Sequence, residues 1–258
     1  MRLRVLAVAA ILVWTTSSAN AQEPAPCVAA IGGSIDYGIN PIKNAPFSAV
    51  VKTTFEQKLV DGNAIHSVSQ TRRARDSAGR TMTETAQGCE RTQDGQSHPR
   101  LNINVNDPVA KTLSNWQTGD LGPKVVHVFH TDPVPRPAPP QQQVDLARLA
   151  RIQPARNQIK TEKLGTRTIN GIETVGSRTT QTIPAGQEGN DLPLVIVTET
   201  WRSQTLGIVL MATRDDPRHG KSTFEYTEFN LGEPDARDFS LPADYKVQEV
   251  HPNLTEAQ

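Results

Sequence analysis

The sequence predicts a mainly β protein, built on one large curved antiparallel sheet (an unclosed barrel) with a short helix packed against it. Two observations support this prediction: long stretches alternate between apolar and polar residues, and clusters of turn residues separate these stretches. The clearest case is the last third of the chain, where Leu194–Trp201, Ile208–Ala212 and Thr223–Phe229 predict three consecutive strands. Such a meander is typical of antiparallel sheets with one solvated face.

The first predicted strand is unusually long. Phe47, Val51 and Phe55 fall on one face of it, because side chains alternate between the two faces of a strand. Strands of this length are common in barrels and curved sheets. Asp61-Gly62 predicts a hairpin turn after this strand, and Asn170-Gly171 predicts a second hairpin later in the chain.

The chain is predicted to form a single β-rich domain over residues 46–248. A proline-rich segment at 133–140 is interpreted as an exposed excursion of this domain, because consecutive prolines favour an extended chain. Apolar residues recur near helical spacing over Gln141–Ile152, which predicts the short helix. Residues 22–45 are predicted to form an irregular N-terminal arm, and residues 249–258 a flexible tail.

The first 21 residues have the features of a secretory signal peptide. Arg2 and Arg4 form a basic start, residues 5–14 are apolar, and Ala19-Asn20-Ala21 is typical of a cleavage site. We therefore expect a periplasmic or secreted protein that is cleaved after Ala21. A membrane-spanning chain is not expected, because no later stretch reaches the roughly 20 apolar residues that a spanning helix requires.

The charge balance does not point to a nucleic-acid partner. The chain has 27 basic and 27 acidic residues, and removal of Arg2 and Arg4 leaves a net charge of about −2. Nucleic-acid binding normally requires a basic surface. The hydrophobic content of 36% suits strands that are half buried.

Two cysteines, Cys27 and Cys89, remain after the predicted signal peptide. In an oxidising compartment such a pair usually forms a disulfide, which we predict here. The alternative is two unpaired thiols in separate loops. A metal site is not expected, since a site at these cysteines would need further ligands close to them in the sequence.

Motifs that carry enzymatic chemistry are absent from the sequence. It contains no nucleophile elbow, phosphate-binding loop, dinucleotide fingerprint or His-Glu-x-x-His zinc motif, so neither an enzyme nor a cofactor is expected. His127 and His130 lie three residues apart on a predicted strand, which directs them to opposite faces and away from a shared metal ion. Asp215-Asp216 near His219 can in principle bind a cation or act as acid and base, but the turn-rich context favours a structural role.

A basic cluster lies on the second predicted strand. It consists of Arg72, Arg73 and Arg75. We interpret the cluster as a solvated strand face that discourages further strand pairing, with an anion site as the alternative.

A strongly curved sheet has a concave apolar face that a helix, large side chains or a ligand must fill. This sequence offers one short predicted helix and only 5% aromatic residues for that purpose. Large apolar residues of the predicted strands are therefore candidates for the lining of a ligand cavity, with an ordinary hydrophobic core as the alternative. These candidates are Phe47, Val51, Phe55, Trp116, Ile196, Trp201 and Ile208.

Several short motifs occur together in the second half of the chain. They are Leu164-Gly165-Thr166 before Asn170-Gly171, Ile183-Pro184-Ala185-Gly186 before Asn190-Asp191, Asp216-Pro217-Arg218, and the closing Phe239-x-x-Pro242-x-x-Tyr245. Together they resemble a group of exported, uncharacterised proteins of the acidobacterial type. The closing pattern is also similar to the end of outer-membrane lipoprotein carriers and periplasmic regulators of envelope stress. That resemblance implies a curved sheet that wraps around helices and forms an apolar cavity, although those proteins have more helix than is predicted here.

Three classes of function follow from these observations. The leading hypothesis is a non-enzymatic envelope protein that binds an apolar ligand, such as a lipid or an acyl chain, in the concavity of the sheet. The first alternative is a protein-interaction or sensor module of the cell envelope without a small ligand. The second alternative is a hydrolase whose catalytic residues form no recognised motif.

Overall fold

One large sheet contains all the strands of the part of the chain that the structure describes. The computed structural model describes residues 35–91, 95, 97–119, 122–131 and 158–250. Its strands are β1 (Phe47–Lys58), β2 (Ala64–Arg75), β3 (Thr81–Arg91), β4 (Ser97–Asp107), β5 (Thr112–Gln117), β6 (Val125–His130), β7 (Gln158–Ile169), β8 (Ile172–Ile183), β9 (Leu194–Ser203), β10 (Ile208–Asp216), β11 (Gly220–Leu231) and β12 (Lys246–Val250).

The twelve strands pair in the order β12-β6-β5-β4-β3-β2-β1-β11-β10-β9-β8-β7. The β12–β6 pair is parallel, and the other neighbouring strands are antiparallel. The prediction of a mainly β protein with one curved, unclosed antiparallel sheet is therefore confirmed. The only helical element in the described ranges is a single 3₁₀ turn, Ala236–Phe239, so none of their helices has the length and apolar character to cross a bilayer.

Some sequence features lie outside the described residues. They are the predicted signal peptide, Cys27, the proline-rich segment and the predicted helix over Gln141–Ile152. Cys89 lies on β3, within the described part of the chain. Its disulfide with Cys27 stays a prediction.

The two strongest hairpin predictions are confirmed. The chain turns back at Asp61-Gly62, where the Gly62 N–H donates to the Leu59 carbonyl at 3.1 Å. At the β7–β8 turn, Asn170 and Gly171 both have positive φ, 50° and 76°. Two consecutive residues with positive φ define the turn that best matches the twist of a hairpin, and Asn-Gly is the favoured pair for it.

Other boundaries differ from the prediction. The polar stretch Cys89–Pro99 predicts a loop, and this prediction is wrong, because β3 continues to Arg91 and β4 begins at Ser97. A register shift between Ala86 and Cys89 lets the two strands stay paired across this polar stretch. The parallel strand β12 was not predicted, since its five residues are largely exposed and gain their partner only through β6, which is far away in the sequence.

The apolar residues of the sheet form two cores on opposite faces. The cross-strand row Phe47–Arg75–Thr81–Asn106 lies on the face that we call the front face. The neighbouring row Ala74–Met82–Val105 lies on the back face, because adjacent residues of a strand point to opposite sides.

The first core centres on β1, β10 and β11 and is covered by residues 35–46, which we call the arm. Its buried members include Phe47, Val51, Leu210 and Phe224, and arm residues pack against them. Tyr37 meets the ring of Phe224 edge to face, with the ring centroids 5.4 Å apart. Burial of this half of the sheet therefore depends on the position of the arm.

The second core lies on the back face of β2–β6 and is covered by the segment that follows β11. Ala74, Met82 and Val105 form its floor, with Trp116 beside them, and Phe239 of the 3₁₀ turn packs against it. The segment is fastened at its end by the Tyr245 hydroxyl, which donates to the Gln117 carbonyl at 3.0 Å.

Arg75, on the front face of β2, fixes the arm to the first core. Its side chain is completely buried, and its guanidinium donates to the carbonyls of Ala45 (2.8 Å), Asn40 (3.1 Å) and Leu206 (2.9 Å). The same guanidinium lies 5.0 Å from the centre of the Phe47 ring. Burial lowers the pKa of Arg75 from its usual value. Three carbonyl dipoles and an aromatic face thus stabilise a buried cation that no carboxylate contacts among the described residues.

Arg73 holds the beginning of the arm in the same way. It is buried, it donates to the Tyr37 carbonyl at 2.6 Å, and it pairs with the exposed carboxylate of Asp36. A further bond reaches the Tyr226 hydroxyl at 3.3 Å. The interpretation of the basic cluster as a solvated strand face is therefore wrong for Arg73 and Arg75. Only Arg72 is partly exposed, and it pairs with Glu84 and Asp238.

We expect Arg75→Met to destabilise the protein by at least about 3 kcal/mol, because a buried acceptor that loses its donor costs about 1–3 kcal/mol and three acceptors are affected. Methionine retains much of the side-chain volume, so the loss would report the hydrogen bonds. Urea unfolding followed by circular dichroism measures this change. Arg237→Met, at an exposed arginine of the 3₁₀ turn, serves as the control and should leave the midpoint unchanged. An equal midpoint for both variants would contradict the role of Arg75.

Candidate functional site

Three of the residues predicted to line a cavity are packed together in the first core. Phe47, Val51 and Ile208 are each at most 2% exposed, and they belong to one cluster with Phe224 and Tyr226. The apolar alternation of the first strand predicts that Phe47, Val51 and Phe55 face the same interior as Ile196 or Ile208. The shared core agrees with this prediction for Phe47, Val51 and Ile208. Their side chains fill the space between them, and contact with a ligand stays a prediction for them.

The remaining candidates are distributed over both faces. Phe55 and Ile196 are buried on the front face, as their pairing with Ser67 and Gln181 requires. Trp116 lies in the second core, on the back face. The seven residues therefore do not line a single cavity.

Trp201 has a separate environment. It pairs with Met211 across β9 and β10 and has the opposite orientation to Ile196, five residues earlier on the same strand. The Arg167 guanidinium lies 3.9 Å from the centre of its ring. The indole also covers Gly176, where an added Cβ would come within 2.6 Å of the ring. Trp201 thus closes a gap above a glycine of β8, and the structure does not bring it together with Phe47 or Val51.

An open groove lies on the front face of β3–β6, beyond the edge of the arm. Its volume is about 410 Å³, which is within the usual range for small-molecule sites. The groove is lined by residues of the arm and of β3–β6: Gly38, Ile39, Thr81, Thr83, Asn104, Val105, Asn106, Leu113, Ser114, Asn115 and Phe129. None of these lining residues is charged.

The apolar part of the groove is the cross-strand pair Leu113–Phe129. These side chains are 44% and 41% exposed, although each is a large hydrophobic residue next to another. Single exposed hydrophobic residues are ordinary, whereas these two lie side by side in a concave site. Ile39 of the arm forms a further apolar part of the lining.

The polar part of the groove is a cluster of asparagine amides in the next cross-strand row. Asn115 Nδ2 donates to Asn102 Oδ1 at 2.8 Å and to Asn104 Oδ1 at 2.7 Å. Asn104 and Asn115 face each other across β4 and β5, two residues from the row of Leu113 on the same face. An apolar surface therefore adjoins a set of oriented hydrogen-bonding groups.

Sequence reasoning missed this groove, although part of its signal was visible. The alternation of Ile103 and Val105 with asparagines predicted a strand with one polar face. The proximity of Leu113 and Phe129 to the asparagines depends on the register of three strands, which local alternation does not determine.

The Asp216 cluster is a structural turn between β10 and β11. The Asp216 carboxylate is buried and accepts from the Arg218 backbone N–H at 3.1 Å, from Arg218 Nη2 at 2.8 Å and from Arg214 Nη2 at 3.1 Å. These bonds, first of all those from the Arg218 side chain, hold the pKa of Asp216 well below its usual range. Arg218 also pairs with Glu188 and so ties the β8–β9 loop to this turn. The interpretation of Asp215-Asp216 as turn residues fits this geometry.

His127 and His130 lie on opposite faces of β6. His130 lies 2.7 Å from Glu249 of β12, whereas His127 is in the row of Asn115 on the other face. Among the residues that the structure describes, no three His, Cys, Asp or Glu side chains are arranged to hold a metal ion.

We expect Asp216→Asn to lower the melting temperature near pH 7 by at least about 2–4 °C, the shift that about 1 kcal/mol produces in a protein of this size. The native pKa of Asp216 lies below the unfolded value of about 4, so its stabilising effect is complete above that value and declines as the pH falls below it. The difference between the variant and the parent protein should therefore shrink from about pH 7 to about pH 3 in thermal unfolding. A difference that is equal at both pH values would show that the charge of Asp216 is not responsible.

Comparison with known proteins gives structural matches only. No protein-family model matches the chain, and the search of curated proteins found no match. The solved structures that match include MucB, at 14% identity and a TM-score of 0.37 over 80% of this chain and 60% of MucB. PNGF-II matches at 14% identity and the same TM-score over 81% of this chain and 32% of PNGF-II. Lipoprotein LppX of Mycobacterium tuberculosis matches at 15% identity and a TM-score of 0.28, over 74% of this chain and 90% of LppX.

The chain thus spans less than two thirds of MucB and about a third of PNGF-II. At these identities and TM-scores the matches carry no inference about function. None of them shows the resemblance to exported proteins of the acidobacterial type, which stays a prediction.

Proposed function

We propose that this protein is an exported, non-enzymatic binder of an apolar ligand, such as a lipid or an acyl chain, and that the groove on the front face of β3–β6 is its binding site. The observation that carries the proposal is the adjacent, half-exposed pair Leu113–Phe129 inside a concave site. Burial of apolar surface contributes about 25 cal/mol per Å² to the free energy of binding. An acyl chain that covers Leu113 and Phe129 therefore binds more favourably than one on a polar surface.

The surroundings of Leu113 and Phe129 indicate that the site is preformed. The floor consists of paired strands of one sheet, and the second core packs against its other side. The wall is the arm, which Arg73 and Arg75 hold by buried hydrogen bonds. A rigid site loses little conformational entropy when a ligand binds.

Export is supported by the leader-like features of residues 1–21. The proposed location is the periplasm or the extracellular space. A non-enzymatic role is supported by the structural use of Asp216, the most strongly perturbed carboxylate of the turn region, which is committed to arginine partners.

Titration with Nile red, an uncharged dye whose emission rises in apolar surroundings, tests the site. We expect saturable binding to the parent protein and at least tenfold weaker binding to Leu113→Glu or Phe129→Glu, a change of about 1.4 kcal/mol. Both positions are partly exposed, so a charge there should perturb the groove more than the fold. Val60→Glu, at the exposed tip of the β1–β2 hairpin, is the matched control and should bind like the parent protein.

Equal affinity of the parent protein and both groove variants would place the dye elsewhere and contradict the proposed site. The absence of saturable binding by the parent protein would contradict the ligand-binding function itself. An envelope protein that covers Leu113 and Phe129 would then be the better account of their exposure.

A further inference from the structure

We infer that the groove selects an uncharged acyl-chain ligand whose head group both donates and accepts hydrogen bonds, such as a primary amide or a hydroxyl-bearing ester, over a fatty-acid anion. This inference rests on the proposed function, because it specifies the ligand of the same groove. It is carried by the asparagine amides and by the absence of charge in the lining.

The asparagine cluster leaves one donor and one acceptor for a ligand. The Asn115 amide nitrogen has two hydrogens, and both are used by the side-chain oxygens of Asn102 and Asn104. Asn115 Oδ1 is therefore left as an acceptor, and Asn104 Nδ2 as a donor. Neither atom has a hydrogen-bond partner among the residues that the structure describes. A head group that can use both must itself carry a donor and an acceptor.

The position of these atoms fits an amphipathic ligand. On β5, Asn115 lies two residues from Leu113 and points to the same face. Asn104 lies opposite Asn115, and Phe129 lies opposite Leu113. A chain that covers Leu113 and Phe129 thus places its head group beside the amides without leaving the front face.

No cation in the lining is available for a carboxylate. The two buried arginines of β2 pair with Thr83 and Thr81 of the lining across β3. However, the Arg73 guanidinium lies 5.6 Å from the centre of the Phe224 ring of β11, and its hydrogen bonds go to groups outside the lining. The Arg75 guanidinium lies over the Phe47 ring of β1, one strand farther from the groove than β2 itself. A carboxylate beside the amides would lose water without gaining a counter-charge.

A carboxylate also lacks the required donor. When ionised it only accepts hydrogen bonds, so it would present an oxygen to Asn115 Oδ1. Once the ligand covers Asn115 Oδ1, this acceptor would be left without a donor, which is unfavourable. A primary amide instead donates to Asn115 Oδ1 and accepts from Asn104 Nδ2, and it matches both groups at once.

Displacement of Nile red by decane, decanamide and decanoate tests the inference, because these ligands share one chain length and differ only in the head group. The titrations are made at about pH 8, where decanoate is ionised because ordinary carboxyl pKa values are near 4. We expect decanamide to displace the dye at a concentration at least tenfold lower than decanoate. Decanoate that displaces the dye as well as decanamide, or better, would overturn the inference.

Two variants assign the preference to the amides. Asn115→Leu should lose the preference for decanamide over decane, with each displacement compared with the affinity of this variant itself for Nile red. Asn230→Leu, on an exposed asparagine of β11 on the back face, should retain it. An unchanged preference in Asn115→Leu would overturn the assignment to the amides.

The results separate the two proposals. Failure of the parent protein to bind Nile red would refute the ligand-binding function, whereas dye binding with an equal or higher affinity for decanoate would refute only the inferred head-group selectivity. The comparison within the parent protein remains decisive if Asn115→Leu fails to fold.

Discussion

Two buried arginines on one strand determine how this sheet is covered. Arg75 and Arg73 lie on the front face of β2, a position that normally holds apolar side chains, and both donate to groups of the arm. Their charges are stabilised by carbonyls, by Asp36 and by the rings of Phe47 and Phe224. The arm has no regular secondary structure, so it is attached by these bonds and by the packing of its apolar side chains, among them Tyr37 and Ile39, on the first core.

The same arrangement explains why a groove remains. Along one front-face row the residues change from Phe47 to Arg75, then to Thr81 and Asn106, and finally to Leu113 and Phe129. The arm covers the beginning of this row and borders the groove with Gly38 and Ile39. On the back face it is the other half of the sheet that is covered, because the second core and its covering segment lie against β2–β6. One half of the sheet is therefore covered on its front face and the other half on its back face. The front face of β3–β6 remains accessible.

The fold class was predictable because period-two alternation and Asn-Gly or Asp-Gly turns are local signals. The candidate site was not predictable, because the position of Leu113 and Phe129 beside the asparagines depends on the register between strands. Trp201 and Ile196 differ by five positions on one strand, so their opposite orientation was already implied by the sequence. Arg73 and Arg75 were misinterpreted because arginines in a strand are usually solvated, and their carbonyl partners at Asn40, Ala45 and Leu206 belong to irregular segments. The parallel pairing of β12 likewise has no local sequence signal.

Hydrogen–deuterium exchange of the arm tests the central claim most directly, namely that the arginines of β2 fix the arm on the front face. We expect the Asn44 amide, which donates to the Ser77 carbonyl at 3.0 Å, to be strongly protected in the parent protein. We also expect Arg73→Met combined with Arg75→Met to remove this protection while β4 and β5 keep theirs. Rapid exchange of the Asn44 amide in the parent protein, at the rate of an unstructured chain, would contradict the account.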